Sequence, residues 1–141
     1  MLSKNVTIEN MNNRLAAGCV ILDGDKILLI HNKEKDWHEL PGGKLEEKET
    51  AEQAAKRELR EELGLDVELI RRLGETSFKT DSYFLDYAWF LAKIKNGQQP
   101  KVGDPRYDRF EYLPIGELSK YKLSTNMNNL LIEMNNKNII L

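Results

Sequence analysis

The chain has 141 residues, 40% of them hydrophobic and 31% charged, which fits one domain spanning 1–141 with a core that needs no disulfide or metal. That balance is too apolar for a disordered chain and too polar for a membrane protein, and no apolar run nears the ~18–20 residues of a membrane span. A net charge of −2, from 21 basic and 23 acidic side chains, gives no positive field to attract nucleic acid, so neither nucleic acid nor membrane is an expected partner.

Residues 1–12 lack the apolar stretch of a secretory signal and are expected to be a flexible arm or an added edge strand. Cys19 is the single cysteine and sits in the apolar run AAGCVIL. It reads as a small buried hydrophobe, and its lack of a partner points to a reducing, cytoplasmic compartment. Residues 15–22 read as a buried strand, Asp23-Gly24-Asp25 as a hairpin turn, and 26–31 as the return strand. Residues 32–37 are charged and looplike. Leu40-Pro41-Gly42-Gly43 is a breaker cluster where backbone can approach a ligand closely.

A helix is predicted over 50–63, with Thr50 as N-cap, Gln53 completing a capping box, and Gly64 just beyond its end. Residues 66–80 read as one bent strand with a bulge or break at Gly74. Residues 83–94 read as a central strand with Trp89 in the core, ended by Asn96-Gly97. Residues 98–109 read as a loop and 110–113 as a short strand. A second helix is predicted over 124–135, where Met127, Leu130, Leu131 and Met134 share a face as core filling. Residues 135–138 read as a fraying tail. His31 and His38 have no ligand spacing and read as structural or exposed.

The first helix breaks its own pattern. At about 100° per residue, Ala51, Ala54, Ala55 and Leu59 form the inward stripe, while Gln53, Lys56, Arg57 and Arg60 face out. Glu58, Glu61 and Glu62 land on or beside the stripe that should be apolar. Their i, i+3, i+4 spacing gathers three carboxylates on one patch, where a hard divalent cation would relieve their repulsion. The spacing alone leaves open an ordinary solvated helix face.

With its upstream loop, the segment runs from Gly43 through Glu49, Arg57-Glu58-Leu59 and Glu61-Glu62 to Gly64-Leu65. It resembles the Nudix box, G-x5-E-x7-R-E-U-x-E-E-x-G-U with U aliphatic, and all nine specified positions match over 23 residues. The resemblance implies an α+β chain folded as an α/β/α sandwich around a mixed β-sheet, with the box as loop–helix–loop. It implies a pyrophosphohydrolase in which water attacks a phosphoanhydride bond of a nucleoside diphosphate linked to another moiety, assisted by Mg²⁺ or Mn²⁺. By position, Glu58 and Glu62 resemble the principal metal ligands, Glu61 a further ligand or the base, and the Gly42 carbonyl the completing ligand. Arg57 and Glu49 resemble orienting groups. Lys48 stands where many members have glycine, a position the box leaves unspecified. In some members the base comes from a later loop, where this chain has Asp104 and Asp108, with Asp108 favoured.

Substrate choice lies outside the box. Tyr83, 18 residues after Leu65, stands where a tyrosine stacks on a base in Nudix diadenosine polyphosphate hydrolases. Asp81 stands where an ADP-ribose pyrophosphatase would carry proline. Trp37 resembles a base-pocket residue of Nudix enzymes that remove oxidised nucleoside triphosphates. Lys44, with Lys33 and Lys35, flanks the site and could hold phosphates. These features place diadenosine polyphosphates narrowly first, (oxidised) nucleoside triphosphates second and ADP-ribose third. A non-catalytic nucleotide sensor is the rival of a different class, and the intact box argues against it. Many family members are dimers, so a homodimer is an assembly the resemblance allows.

Overall fold

A computed structural model of the chain describes residues 13–141; the arm or edge strand expected of residues 1–12 lies outside the described residues. The strands are β1 (Arg14–Asp23), β2 (Lys26–Asn32), β3 (Trp37–Glu39), β4 (Gly42–Lys44), β5 (Val67–Lys79), β6 (Phe84–Ile94) and β7 (Tyr107–Pro114). The helices are α1 (Ala51–Leu63) and α2 (Thr125–Asn135), with a 3₁₀ turn over Ile115–Lys120. β6 lies between parallel β1 and antiparallel β5, and β4 pairs with the other edge of β1. The β1–β2 hairpin leads into a second group in which β2 pairs with both β3 and β7.

Strand alternation builds the layers. Ala17, Cys19 and Ile21 of β1, Leu28 and Ile30 of β2, and Ala88, Phe90 and Ala92 of β6 face α1 and its Ala54, Ala55, Leu59 and Leu63. Ala16, Val20, Ile27, Leu29 and Trp89 face the other way, against Leu118, Met127 and Leu130. The mixed sheet is therefore sandwiched between two helical layers, as expected. Cys19 and Trp89 are fully buried. Burial pushes the Cys19 thiol up to about 12, so it is an inert core group.

The local signals act as read in several places. Thr50 and Gln53 form the capping box, and Gly64 ends α1 in the left-handed conformation at φ 65°. Gly74 lies at the register shifts that bend β5. Three expectations are corrected. Trp37 opens β3 instead of closing a loop, because three residues pair with β2. β7 begins at Tyr107, not Phe110, because β2 offers a long antiparallel partner. The tail does not fray: Asn138 bonds Glu133, and buried Ile139 packs over Gly74, where any side chain would crowd it.

Gly18 is a second position where only glycine fits. A methyl group there would overlap the Tyr87 hydroxyl and come within 2.8 Å of the Pro41 carbonyl. Gly18→Ala is expected to cost about 2–3 kcal/mol by overpacking, read as a lower urea midpoint. Adding Tyr87→Phe should restore part of the loss; no restoration would place the strain at Pro41 instead.

Candidate active site

The loop–helix segment is tied together by one guanidinium. Arg57 is not outward-facing as the wheel predicts; its side chain is only 18% exposed. It grips Glu49 with Nε at 2.7 Å and Nη2 at 2.9 Å, and Nη2 also donates to the Lys44 carbonyl at 2.9 Å. Nη1 donates to Glu58 at 2.8 Å and to Glu61 at 3.1 Å. Glu49 also accepts from the Glu46 N–H, closing the turn before α1. These bonds hold the Glu49 carboxyl below the usual carboxylate range and raise the Arg57 pKa further. Gly43 lies against Glu58: a Cβ at that position would sit 2.6 Å from the carboxyl carbon.

Glu62 is fully buried, and Glu58 nearly so. The Glu62 Oε1 accepts from the Gly42 N–H at 2.8 Å, and its Oε2 lies 3.4 Å from the Tyr107 hydroxyl and 3.5 Å from Arg106 Nη2. Burial first, then the charge of Glu58, pushes the Glu62 pKa well above the usual range. Glu61 is half-exposed. Among the described residues no three acidic, histidine or cysteine side chains converge on one point at coordination distance, because Glu58 and Glu61 are turned to Arg57. The donor set is nonetheless hard oxygen throughout. A buried carboxylate facing a second one is a charge arrangement that a divalent cation would relieve.

Three residues around Glu62 are not among those the sequence points to. Glu39 accepts from Trp37 Nε1 at 2.7 Å and from the Tyr107 hydroxyl at 3.1 Å. Tyr107 thus bridges Glu39 and Glu62, and burial beside these carboxylates raises its pKa. Arg106, clasped by Asp104, completes the rim. β3 is only three residues long, so no period in the sequence marks Glu39.

A cavity of about 460 Å³ opens beside this cluster, lined by Trp37, Glu39, Thr80, Tyr83, Ser124 and Asn126 among others. The structure brings Trp37 and Tyr83 to this one cavity. Lys44 lies with Nζ 4.5 Å from the Tyr83 ring, and Lys35 6.0 Å from that of Trp37. Asn126, in the first turn of α2, has a buried Oδ1 with no hydrogen-bond partner among the described residues.

Asp108 is not brought to the carboxylates. Tyr107 points to Glu62, and the next side chain alternates to the opposite face, where Asp108 bonds His31 Nδ1 at 2.9 Å. That bond holds its carboxyl below the usual range. The same face buries His31 and His38, rings 5.0 Å apart, with Glu111 on His38. Asp104 does approach the site, through Arg106.

The NUDIX domain model matches residues 12–134. An 8-oxo-dGTP diphosphatase of Proteus vulgaris is 37% identical over 98 residues, 65% of this chain and 87% of that protein. The crystal structure of a MutT NUDIX hydrolase from Burkholderia pseudomallei is similar at TM-score 0.77 and 27% identity, covering 84% of this chain and 95% of that one. An Ap4A hydrolase of C. elegans is similar in fold alone, at TM-score 0.73 and 21% identity over 86% of this chain and 95% of its own.

Proposed function

The chain belongs to the Nudix family, and from that premise we propose that this pyrophosphohydrolase cleaves nucleoside triphosphates to monophosphate and pyrophosphate, with an oxidised purine preferred. Supporting the preference is the polar lining of the 460 Å³ cavity, where Asn126, whose buried Oδ1 has no partner among the described residues, stands with Glu39 and Trp37. Guanine presents N7 as an acceptor, whereas its 8-oxo form carries a proton there. Turned into the cavity by a side-chain rotation on binding, the Asn126 acceptor would favour the donor and be left unpaired by the ordinary base. Trp37 supplies a stacking face, locked by its bond to Glu39. The cavity volume suits one nucleoside.

Diadenosine polyphosphates, first in the sequence reading, lose that place. Their support was Tyr83, whose ring is engaged by Lys44 and by Arg14 at 5.6 Å. Among the described residues no helix is long and apolar enough to cross a membrane.

For the chemistry, the Glu58, Glu61 and Glu62 carboxylates and the Gly42 carbonyl would hold Mg²⁺ or Mn²⁺. When bound, such a cation neutralises phosphate charge and acidifies its water. Glu61, the carboxylate with solvent access, takes the proton of the attacking water. Arg57 and Glu49 fix the helix and its loop so that these oxygens stay in register. Lys44 lies at the cavity edge, where it offsets phosphate charge.

A panel of 8-oxo-dGTP, dGTP, the other triphosphates, diadenosine tetraphosphate and ADP-ribose, run with each metal, tests the reading. The highest kcat/KM is expected for 8-oxo-dGTP. Asn126→Ala should lower that value by roughly 10–100-fold while changing dGTP little. Faster turnover of diadenosine tetraphosphate, or equal losses on both triphosphates, would remove the assignment.

A further inference from the structure

Glu62 already has a cation beside it. Arg106 Nη2 lies 3.5 Å from the buried Oε2, the sole arginine or lysine within ion-pair distance of Glu62 among the described residues. Arg106 is not owned by Glu62, however. Its backbone N–H donates to Asp104 at 2.9 Å, Nε reaches both Asp104 oxygens at 3.1–3.2 Å, and Nη2 reaches Oδ2 at 2.7 Å. The guanidinium carbon lies 5.2 Å from the centroid of the Tyr107 ring. The loop carrying it is pinned to α1, with the Gly103 N–H donating to the Glu62 carbonyl at 2.9 Å and the Lys101 N–H to that of Leu63. The head group is fixed in place, yet its side chain is 59% exposed and Nη1 is in none of these bonds.

This geometry separates two attachments of unequal strength. The bond to Asp104 is short and multiple. The contact with Glu62 is a single ion pair at 3.5 Å, longer than any of the Asp104 bonds. A guanidinium released from Glu62 but still held by Asp104 stays at the rim, with donors free in the fork that matches a phosphate.

We infer that Arg106 is an exchangeable counter-ion: it balances Glu62 in the metal-free protein, yields Glu62 to the divalent cation, and then binds a phosphate of the substrate. The inference rests on Glu62 being a metal ligand. It gives Arg106 two opposed effects. Arg106 competes with the metal and cooperates with the nucleotide, so its removal should strengthen one equilibrium and weaken the other. A brace for the loop would not split them in this way.

The test is Mn²⁺ binding by electron paramagnetic resonance, without nucleotide, followed by binding of α,β-methylene-dGTP at saturating Mn²⁺. Arg106→Ala should bind Mn²⁺ roughly three- to tenfold more tightly and the analogue about tenfold more weakly. Arg106→Lys keeps the charge but not the fork, so its Mn²⁺ affinity should stay near wild type while part of the analogue affinity is lost. Unchanged or weaker Mn²⁺ binding by Arg106→Ala, or unchanged analogue binding, overturns the exchange. Glu62→Gln in the same titration separates the two levels. Loss of Mn²⁺ binding there supports the metal site, and wild-type binding would remove that reading and the Arg106 role with it.

Discussion

Glu62→Gln is expected to lower kcat by roughly 10³-fold, about 4 kcal/mol of transition-state stabilisation, while leaving the metal-free protein more stable than wild type. The two effects have one cause. Glu62 is fully buried, faces Glu58, and receives one short bond, from the Gly42 N–H, beside longer contacts from Tyr107 and Arg106. Its folded-state pKa lies above the ordinary 4.5, so the folded chain holds this proton more tightly than the unfolded one. The stability linked to the group is full below about pH 4.5 and is lost as pH rises through the folded-state value. Glutamine keeps the volume, removes the charge and still accepts from Gly42. In chelator at neutral pH the variant should melt roughly 4 °C higher, and the fall in stability with rising pH should flatten. Adding Mg²⁺ should raise the wild-type Tm and leave that of the variant where it is. A variant that melts lower than wild type in chelator would mean that the Arg106 ion pair and the Tyr107 hydroxyl outweigh the cost of burying the charge. A wild-type rate would take Glu62 out of the metal site.

How much of this was legible in the chain follows from the range of the interactions. The box is local: capping, breaker and carboxylate signals all fall within 43–65, so the helix, its caps and the inward glutamates could be read directly. Glu39, Tyr107, Arg106 and Asn126 reach the site through pairings distant in sequence. Three-residue strands such as β3 carry too few positions to show a period, so Glu39 was hidden beside Trp37. Starting β7 at Phe110 instead of Tyr107 lost the alternation that turns Tyr107 inward and Asp108 away. Asn126 belongs to a helix whose period shows in the sequence, but its place in the cavity lining depends on how α2 packs, which no local signal carries. The histidines were missed as a buried pair for the same reason, since β2 and β3 bring His31 opposite His38.

Arg57 is where the broken helix pattern and the fold meet, and Arg57→Ala should cost about 3–4 kcal/mol of stability with a kcat loss of roughly 10²–10³-fold. Removing it strands two carboxylates with little access to water: the Glu49 and Glu58 side chains are only 12% and 11% exposed. Exposed ion pairs of this type are worth under ~1 kcal/mol, but here the charges left behind are partly desolvated. The Lys44 carbonyl would also lose its donor, leaving the Gly42–Glu62 bond as a remaining tie between β4 and α1. Arg57→Lys offers one point charge where the site uses three nitrogens of a planar fork. It should recover some of the Tm and little of the rate. Glu49→Gln separates the parts, because it loosens the loop but leaves Glu58 paired. Its stability loss should be well below that of Arg57→Ala, and the double variant should lose less than the sum of the two singles. If Arg57→Ala costs under ~1 kcal/mol, the glutamates are hydrated and the inward stripe is an ordinary solvated face after all. If the loss is large and additive with that of Glu49→Gln, Arg57 acts on Glu58 alone, and the loop before α1 is held by something else.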